Sequence, residues 1–327
     1  MLMNMVSGKT AFKFLTVFLI ASLLVAAACT EIKTNTQVFA AAAEPAGTGS
    51  SPGLKEVFDS DKYKGLLTVR YLHLSADVAA GDAIVIQTPD GKTAMIDSGL
   101  MNTGSQVVDY LDKLGINTID MAINTHPHPD HIGGFGDVAL YKDIKKVYME
   151  NLPAPQWVAY SKVMNIFQEK NIPYEFLEEG DTFQLGDLKF EVLSPQKGAL
   201  PNVIENLNDD AEVNNNSLVI RMTYKENTFL FTADIYKSKE TELVKKYGAR
   251  LKADVMHVPH HGWRTSSSPD FIPLVSPKVA VVSNNLFDNT KLVQRFDKQN
   301  IKTVVTGTNG NILITSNGKN VNVITEK

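Results

Sequence analysis

The sequence predicts an α+β fold in which helices cover β-sheets from outside, and three observations carry that expectation. From Leu67 onward, short runs rich in β-branched and aromatic residues alternate with segments of helical spacing. Hydrophobic residues make up 43% of the 327, ample for a sizeable core, and no internal repeat stands out. Several of the expected strands run directly into Asp or His, which places chemistry at sheet ends.

The amino terminus reads as an export signal over residues 1–28. Lys9 and Lys13 precede or enter the apolar stretch from Phe14 to Ala28, which is too short to span a bilayer comfortably. Ala26-Ala27-Ala28-Cys29 resembles a bacterial lipobox, so Cys29, the single cysteine of the chain, is the expected lipidation site; cleavage after Val38-Phe39-Ala40 would instead release a soluble secreted protein. Either route places the chain outside the cytoplasmic membrane, with a lipid at the amino terminus as the expected membrane contact. Residues 29–53, rich in Ala, Thr, Gly, Ser and Pro, read as a flexible tether, and 54–327 as the folded domain. Removing residues 1–28 leaves 30 basic against 36 acidic residues. That balance argues against strong nonspecific binding of nucleic acid, while leaving room for a local basic groove.

The domain opens with an expected meander: strands Leu67–Leu74 and Asp82–Gln87, the turn Thr88-Pro89-Asp90-Gly91, then Lys92–Ile96. Asp97 follows at the strand end. An aspartate there commonly bonds its own turn, but here it is expected beneath a metal loop, accepting hydrogen bonds from that loop or from a ligand imidazole. His73, in an apolar strand, reads as structural. Val107, Val108, Leu111 and Leu114 recur at helical spacing over Thr103–Leu114, and Met121–Ile123 is the next strand.

That strand delivers Thr125-His126-Pro127-His128-Pro129-Asp130-His131-Ile132-Gly133-Gly134. Packing does not explain three imidazoles and a carboxylate within six positions, whereas metal binding does. His126 and His128 can aim at one cation, and Asp130 and His131 at a second. Imidazole and carboxylate suit zinc and its neighbours, and two ions roughly 3.5–4 Å apart can share one water.

Beyond the loop, a strand is expected at Lys145–Met149, a helix at Pro155–Lys170, and strands at Tyr174–Phe176, Thr182–Leu185 and Leu188–Leu193. Pro201–Asn216 is polar and reads as a loop lining a site. A hairpin, Ser217–Tyr224 with Thr228–Thr232, then leads to Asp234. A carboxylate leaving a buried strand needs opposing charge, so Asp234 is expected to bridge the two cations rather than cap the helix Lys237–Tyr247. Strand Asp254–Val258 ends in Pro259-His260-His261-Gly262. His260 is the expected ligand and His261 the expected proton donor, with His257 packed inside the strand. Ser266–Ser268 read as a cap for a helix near Pro269. Strand Val279–Val282, helix Lys291–Gln299 and strands Lys302–Val305, Asn311–Thr315 and Val321–Ile324 complete the chain.

Taken together, Asp97, His126-x-His128-x-Asp130-His131, Asp234 and His260-His261 resemble the metallo-β-lactamase superfamily in order and spacing. Within it, Gly81-Asp82-Ala83, Asn216-Ser217-Leu218-Val219-Ile220-Arg221 and Val258-Pro259-His260-His261-Gly262 look most like the hydrolase domain of the DNA-uptake channel ComEC and its free-standing secreted relatives. A looser likeness is to extracellular phosphorylcholine esterases of that fold. The resemblance implies a four-layer αββα sandwich with two divalent metal ions, zinc first and manganese second, at one edge. One departure is that no histidine lies between the HxHxDH loop and Asp234. Asn214, Asn215 and Asn216 stand about where the family's third histidine for the first metal would fall, and an amide oxygen or a water would fill the gap more weakly.

The expected activity is metal-dependent hydrolysis by a metal-bound hydroxide, on a small or polymeric phosphoester with nucleic acid among the candidates. His126, His128 and Asp234 would hold one ion, and Asp130, His131, Asp234 and His260 the other. Asp130 and His261 are the expected catalytic residues. The alternatives are a lactonase or β-lactamase with the same metals, a non-catalytic surface module using metal as a clip, and a lipid-anchored binding protein, which leaves the histidines unexplained.

Overall fold

Along the strand Met121–Asn124 the side chains of Met121 and Ile123 enter one apolar core while Ala122 enters another. The two faces of a single strand are therefore covered by different layers. Val279–Val282 behaves alike, with Val279 and Val281 on one side and Ala280 and Val282 on the other. The computed structural model describes residues 52–200, 204 and 210–327. The expected signal, Cys29 and the tether as far as residue 51 lie outside them.

Two sheets result. The first has eight strands, in the order Val321–Thr325, Ile312–Ser316, Leu67–Tyr71, Ile84–Gln87, Thr93–Ile96, Met121–Asn124, Val147–Met149 and Tyr174–Phe176. The second has seven, in the order Lys302–Val305, Val279–Val282, Val255–His257, Asn227–Phe231, Val219–Tyr224, Leu188–Ser194 and Thr182–Leu185. Each sheet is antiparallel on one side and parallel on the other. The parallel runs are Thr93–Ile96 through Tyr174–Phe176 and Asn227–Phe231 through Lys302–Val305.

One core lies between the sheets, where Val69, Ile84, Ile96 and Ile123 meet Phe190, Ile220, Phe229 and Val281. A second seals the outer face of the first sheet with helices Gly104–Lys113, Phe135–Tyr141 and Val158–Glu169, through Val107, Leu111, Val138, Val163 and Phe167. A third seals the other sheet with Lys237–Tyr247, Phe271–Val275 and Thr290–Asp297, through Leu243, Ile272, Leu292 and Phe296. Each fully buried Val, Leu, Ile or Phe contributes about 1.5–3 kcal/mol, so these layers dominate stability. The αββα sandwich expected from the sequence is the architecture found.

Some segments differ from expectation. The helix Pro52–Val57 begins inside the stretch assigned to the tether, because Pro52 presets a first turn and Val57 is buried. Residues 210–215 of the expected loop Pro201–Asn216 form the helix Asp210–Asn215, whose acidic first turn suits a helix start. The helix Phe135–Tyr141, unforeseen behind two glycines, anchors the metal loop through Phe135 and Val138. Among the described residues no helix is long and apolar enough to cross a membrane.

Candidate metal centre

Parallel strands raise their carboxyl ends at one edge, where α/β proteins collect their chemistry. Asp97 follows Thr93–Ile96, and His126 follows Met121–Asn124. In the second sheet Asp234 follows Asn227–Phe231, and His260 and His261 follow Val255–His257. The structure brings both sets together. His126 and Asp234, from different sheets, approach to 3.9 Å, and His131 Nε2 and Asp234 Oδ2 to 3.2 Å.

His126 and His128 make one group of donors. The Thr125 hydroxyl donates to Asp97 Oδ2 at 2.7 Å and lies 3.0 Å from His126 Nδ1, from which it accepts. That leaves His126 Nε2 with a lone pair aimed inward. His128 Nδ1 lies 3.0 Å from this atom. Two nitrogens on one tetrahedral ion at ~2.0–2.1 Å would stand ~3.3 Å apart, so the pair has the spacing of co-ligands. Burial, helped by the neighbouring imidazoles, holds His126 well below the usual histidine pKa, in the neutral form that ligates.

The second group is tighter. His261 Nε2 lies 3.2 Å from Asp234 Oδ2 and 3.4 Å from Asp130 Oδ2, and His131 Nε2 lies 3.9 Å from the same Asp130 oxygen. His131 Nδ1 donates to Asp97 Oδ2 at 2.8 Å, and His261 Nδ1 donates to the Ser283 carbonyl at 3.0 Å. Both rings are thus turned with Nε2 toward the acids, which is how a ligating histidine is oriented.

The charges say what belongs here. Burial pulls His131 and His261 down, yet Asp234 in both cases, with Asp130 and Asp97 around His131 and Asp82 beside His261, holds both well above the usual histidine pKa. Burial pushes Asp234 up, but His261 and His131 together hold its carboxyl well below the usual range. Protons on two imidazoles thus partly balance four carboxylates, those of Asp82, Asp97, Asp130 and Asp234. Buried Asp234 Oδ1 and Asp82 Oδ2 nonetheless have no hydrogen-bond partner. Unpartnered donor atoms among surplus acids, gathered within ligand distance, fit divalent cations.

Adjacent histidines separate as expected, with the positions exchanged. His261 is buried and belongs to the inner cluster. His260 is at the rim, with Nδ1 2.6 Å from Thr265 Oγ1, its ring stacked on Tyr236 at 4.8 Å, and Nε2 3.9 Å from Asp234 Oδ2. The cause is backbone geometry. Both residues adopt left-handed φ angles, 48° and 50°, which swing the first ring outward and the second inward. Asp97 and Ala233 are also left-handed, at 54° and 46°. Four such residues around one cluster are a concentration of strain typical of functional sites.

Asn215 is not placed as a donor. Its Oδ1 accepts from the Tyr236 amide and its Nδ2 donates to Ser238 Oγ, each at 3.0 Å. Asn216 donates through Nδ2 to the Glu212 carbonyl at 2.9 Å. Asn214 is different: it is buried and its Oδ1 has no partner. Asp234 does not cap the helix Lys237–Tyr247, whose first turn follows Tyr236.

Sequence reading gave Asp82 no role. It is buried beneath the site, with Oδ1 3.1 Å from His257 Nε2 and 3.7 Å from His261 Nδ1, and Oδ2 3.9 Å from His131 Nδ1. The signal available was an aspartate heading an otherwise apolar strand. Glu150, immediately after Val147–Met149, is wholly buried with neither oxygen hydrogen-bonded. Burial, with the Asp97 carboxylate nearby, pushes its carboxyl well above the usual range. His73 lies outside the clusters, and His257 is packed against Tyr71 with ring centroids 6.0 Å apart.

Among solved structures, the metallo-beta-lactamase fold protein YhfI from Bacillus subtilis aligns at a TM-score of 0.49 and 13% identity, over 74% of this chain and 96% of that one. ComE operon protein 3 of Bacillus subtilis (strain 168) is 27% identical over 260 residues, 72% of this chain and 32% of its own length. Competence protein ComA of Neisseria gonorrhoeae is 27% identical over 209 residues, 64% of this chain and 26% of its own. The chain spans about a third or less of the length of these curated relatives. The family model described as Metallo-beta-lactamase superfamily matches residues 76–195, the interval that holds Asp82, Asp97 and the HxHxDH loop. The chain is therefore similar to the metallo-beta-lactamase superfamily over residues 76–195, and more widely to ComE operon protein 3 and competence protein ComA.

Proposed function

We propose that the protein hydrolyses a phosphodiester outside the cytoplasmic membrane, using two divalent cations, zinc or manganese. The observation that carries this reading is the convergence of His126, His128, Asp130, His131, Asp234 and His261 with a ring nitrogen or carboxylate oxygen of each facing inward. His126, His128 and Asp234 would hold one ion, and Asp130, His131, Asp234 and His261 the other. When bound, such ions supply Lewis-acid polarisation of a phosphoryl oxygen and make water acidic enough to attack near neutral pH.

The residues themselves divide the remaining work. Asp130 has a side chain 25% exposed, against 3% or less for Asp82, Asp97 and Asp234. It is the acid of the four that incoming water reaches, so it orients that water and accepts its proton. His260, at the rim and bonded to Thr265, relays a proton from solvent to the leaving oxygen, the role the sequence suggested for His261; burial lowers its pKa and keeps it neutral at rest. Rings flank the opening: Trp157 lies 5.0 Å from His128, Tyr236 is stacked on His260, and Trp263 is 49% exposed. Faces of this kind hold planar groups such as nucleobases, and exposed Arg264 adds a positive charge beside them. The lipobox-like Cys29 and the preceding apolar stretch support an extracytoplasmic, membrane-tethered location.

A panel of bis-p-nitrophenyl phosphate, p-nitrophenyl phosphate, a lactone and a β-lactam, run with zinc or manganese, tests the reading. The diester is the expected substrate, and turnover of the lactone or lactam alone would replace it with the acyl alternative. His261→Ala should lose cation and activity together, whereas His260→Ala should keep the cation and lose about 10²–10⁴-fold in rate. The second loss should shrink with a leaving group that needs no proton.

A further inference from the structure

We infer that the Asn214 side-chain oxygen is a fourth protein donor to the cation held by His126, His128 and Asp234. The inference rests on the two-cation reading above and deepens it. Asn214 lies in the helix Asp210–Asn215 with its side chain 1% exposed and its Oδ1 without a hydrogen-bond partner. A buried amide oxygen left unpaired costs about 1–3 kcal/mol, so it calls for a partner that the polypeptide does not provide.

The helix rests against the first group of donors. Asp210 Oδ1 lies 3.8 Å from His128 Nε2, and Asn214 follows four residues later, on the same helix face. Beyond it, the Ser217 amide donates to the Asn214 carbonyl at 3.1 Å, and the Leu218 amide donates to the Thr125 carbonyl at 2.9 Å. The segment carrying Asn214 is thus tied at one end to His128 and at the other to the residue beside His126. Asn215 and Asn216 use their side chains on Ser238, Tyr236 and Glu212, which leaves Asn214 as the asparagine of the three with a buried, unused oxygen. A neutral oxygen donor beside two imidazoles shifts preference away from zinc and toward a harder ion such as manganese.

Titrating the purified protein with Mn²⁺ and with Zn²⁺ by calorimetry, and following bound Mn²⁺ by electron paramagnetic resonance, tests this without reference to turnover. The native chain should bind two ions and give the spectrum of a coupled Mn²⁺ pair. Asn214→Ala should weaken one of the two binding events roughly 10- to 100-fold, spare the other, and abolish the coupled signal. Asn214→His should tighten the weakened site for Zn²⁺, and Asn214→Asp for Mn²⁺; these two also carry the test if the alanine variant does not fold. Two unaltered binding events in every folded variant would overturn the assignment of Asn214 while leaving the two-cation centre standing. A native protein that binds neither metal would overturn the centre itself.

Discussion

At the residue scale the cluster is a problem of charge, and Glu150 shows how the protein limits it. Asn124 and Met149 are register partners, so Glu150 follows its strand level with Thr125. A fifth ionised acid beside Asp82, Asp97, Asp130 and Asp234 would raise the repulsion within a buried region. Burial instead favours the neutral form. The folded-state pKa is raised, so the folded chain keeps this proton in a range where the unfolded chain, near 4.5, releases it. The stabilisation is therefore complete below the unfolded value and is lost as pH rises toward the folded one, with a slope of at most ~1.4 kcal/mol per pH unit. Glu150→Gln, neutral and isosteric, should remove that decline. Melting curves of both proteins from pH 5 to 8 should diverge upward in pH, with the variant the more stable; parallel curves would show that Glu150 is ionised throughout.

At the scale of the element, the metal loop is held by backbone contacts that leave no room for a Cβ. A methyl group at Gly81 would sit 1.7 Å from the Asp130 carbonyl oxygen, and φ there is +77°. Gly91 has a similar φ of +86° but open space around it. Gly91→Ala should therefore show only the left-handed backbone cost of about 1–2 kcal/mol and retain its cations. Gly81→Ala should cost more and loosen Asp130, seen as weaker metal binding as well as a lower melting temperature. Equal effects on metal affinity would remove the loop-clamping role.

The same contrast explains what was legible in the sequence. The strands and the three long outer helices were visible because their apolar spacing is intrinsic to them, and Tyr174–Phe176, Thr182–Leu185, Val279–Val282 and Lys302–Val305 carry the expected bounds. Ligand chemistry at strand ends was visible because imidazoles and acids are rare there without a reason. The inward turn of His261 was hidden because it follows from left-handed backbone angles that neighbouring loops impose. Asp82 and Glu150 were hidden because their burial depends on the second sheet and on helices far away in sequence. The helix Asp210–Asn215 was masked by a polar composition that usually means a loop.

On the scale of the whole molecule, each sheet by itself presents an incomplete set of donors. Asp97, Asp130, His126 and His131 come with the first sheet, and Asp234 and His261 with the second; the approaches of His131 to Asp234 at 3.2 Å and of His261 to Asp130 at 3.4 Å join the halves. Cations bound there act as cross-links between layers and stabilise the folded state by mass action. An ion present at 100 times its dissociation constant contributes about 2.7 kcal/mol, and a chain of this size gains roughly 2–4 °C per kcal/mol. Chelation should therefore lower the melting temperature by about 5–10 °C, reversibly on adding the ion back. Asp234→Asn should abolish most of that shift, because the carboxylate common to both groups is gone. Asp254→Asn is the control: Asp254 bonds Lys278 and the Thr228 amide away from the cluster, so the variant should be less stable yet keep the chelator effect. A native melting temperature indifferent to chelator would mean that the two sheets are held together by packing alone.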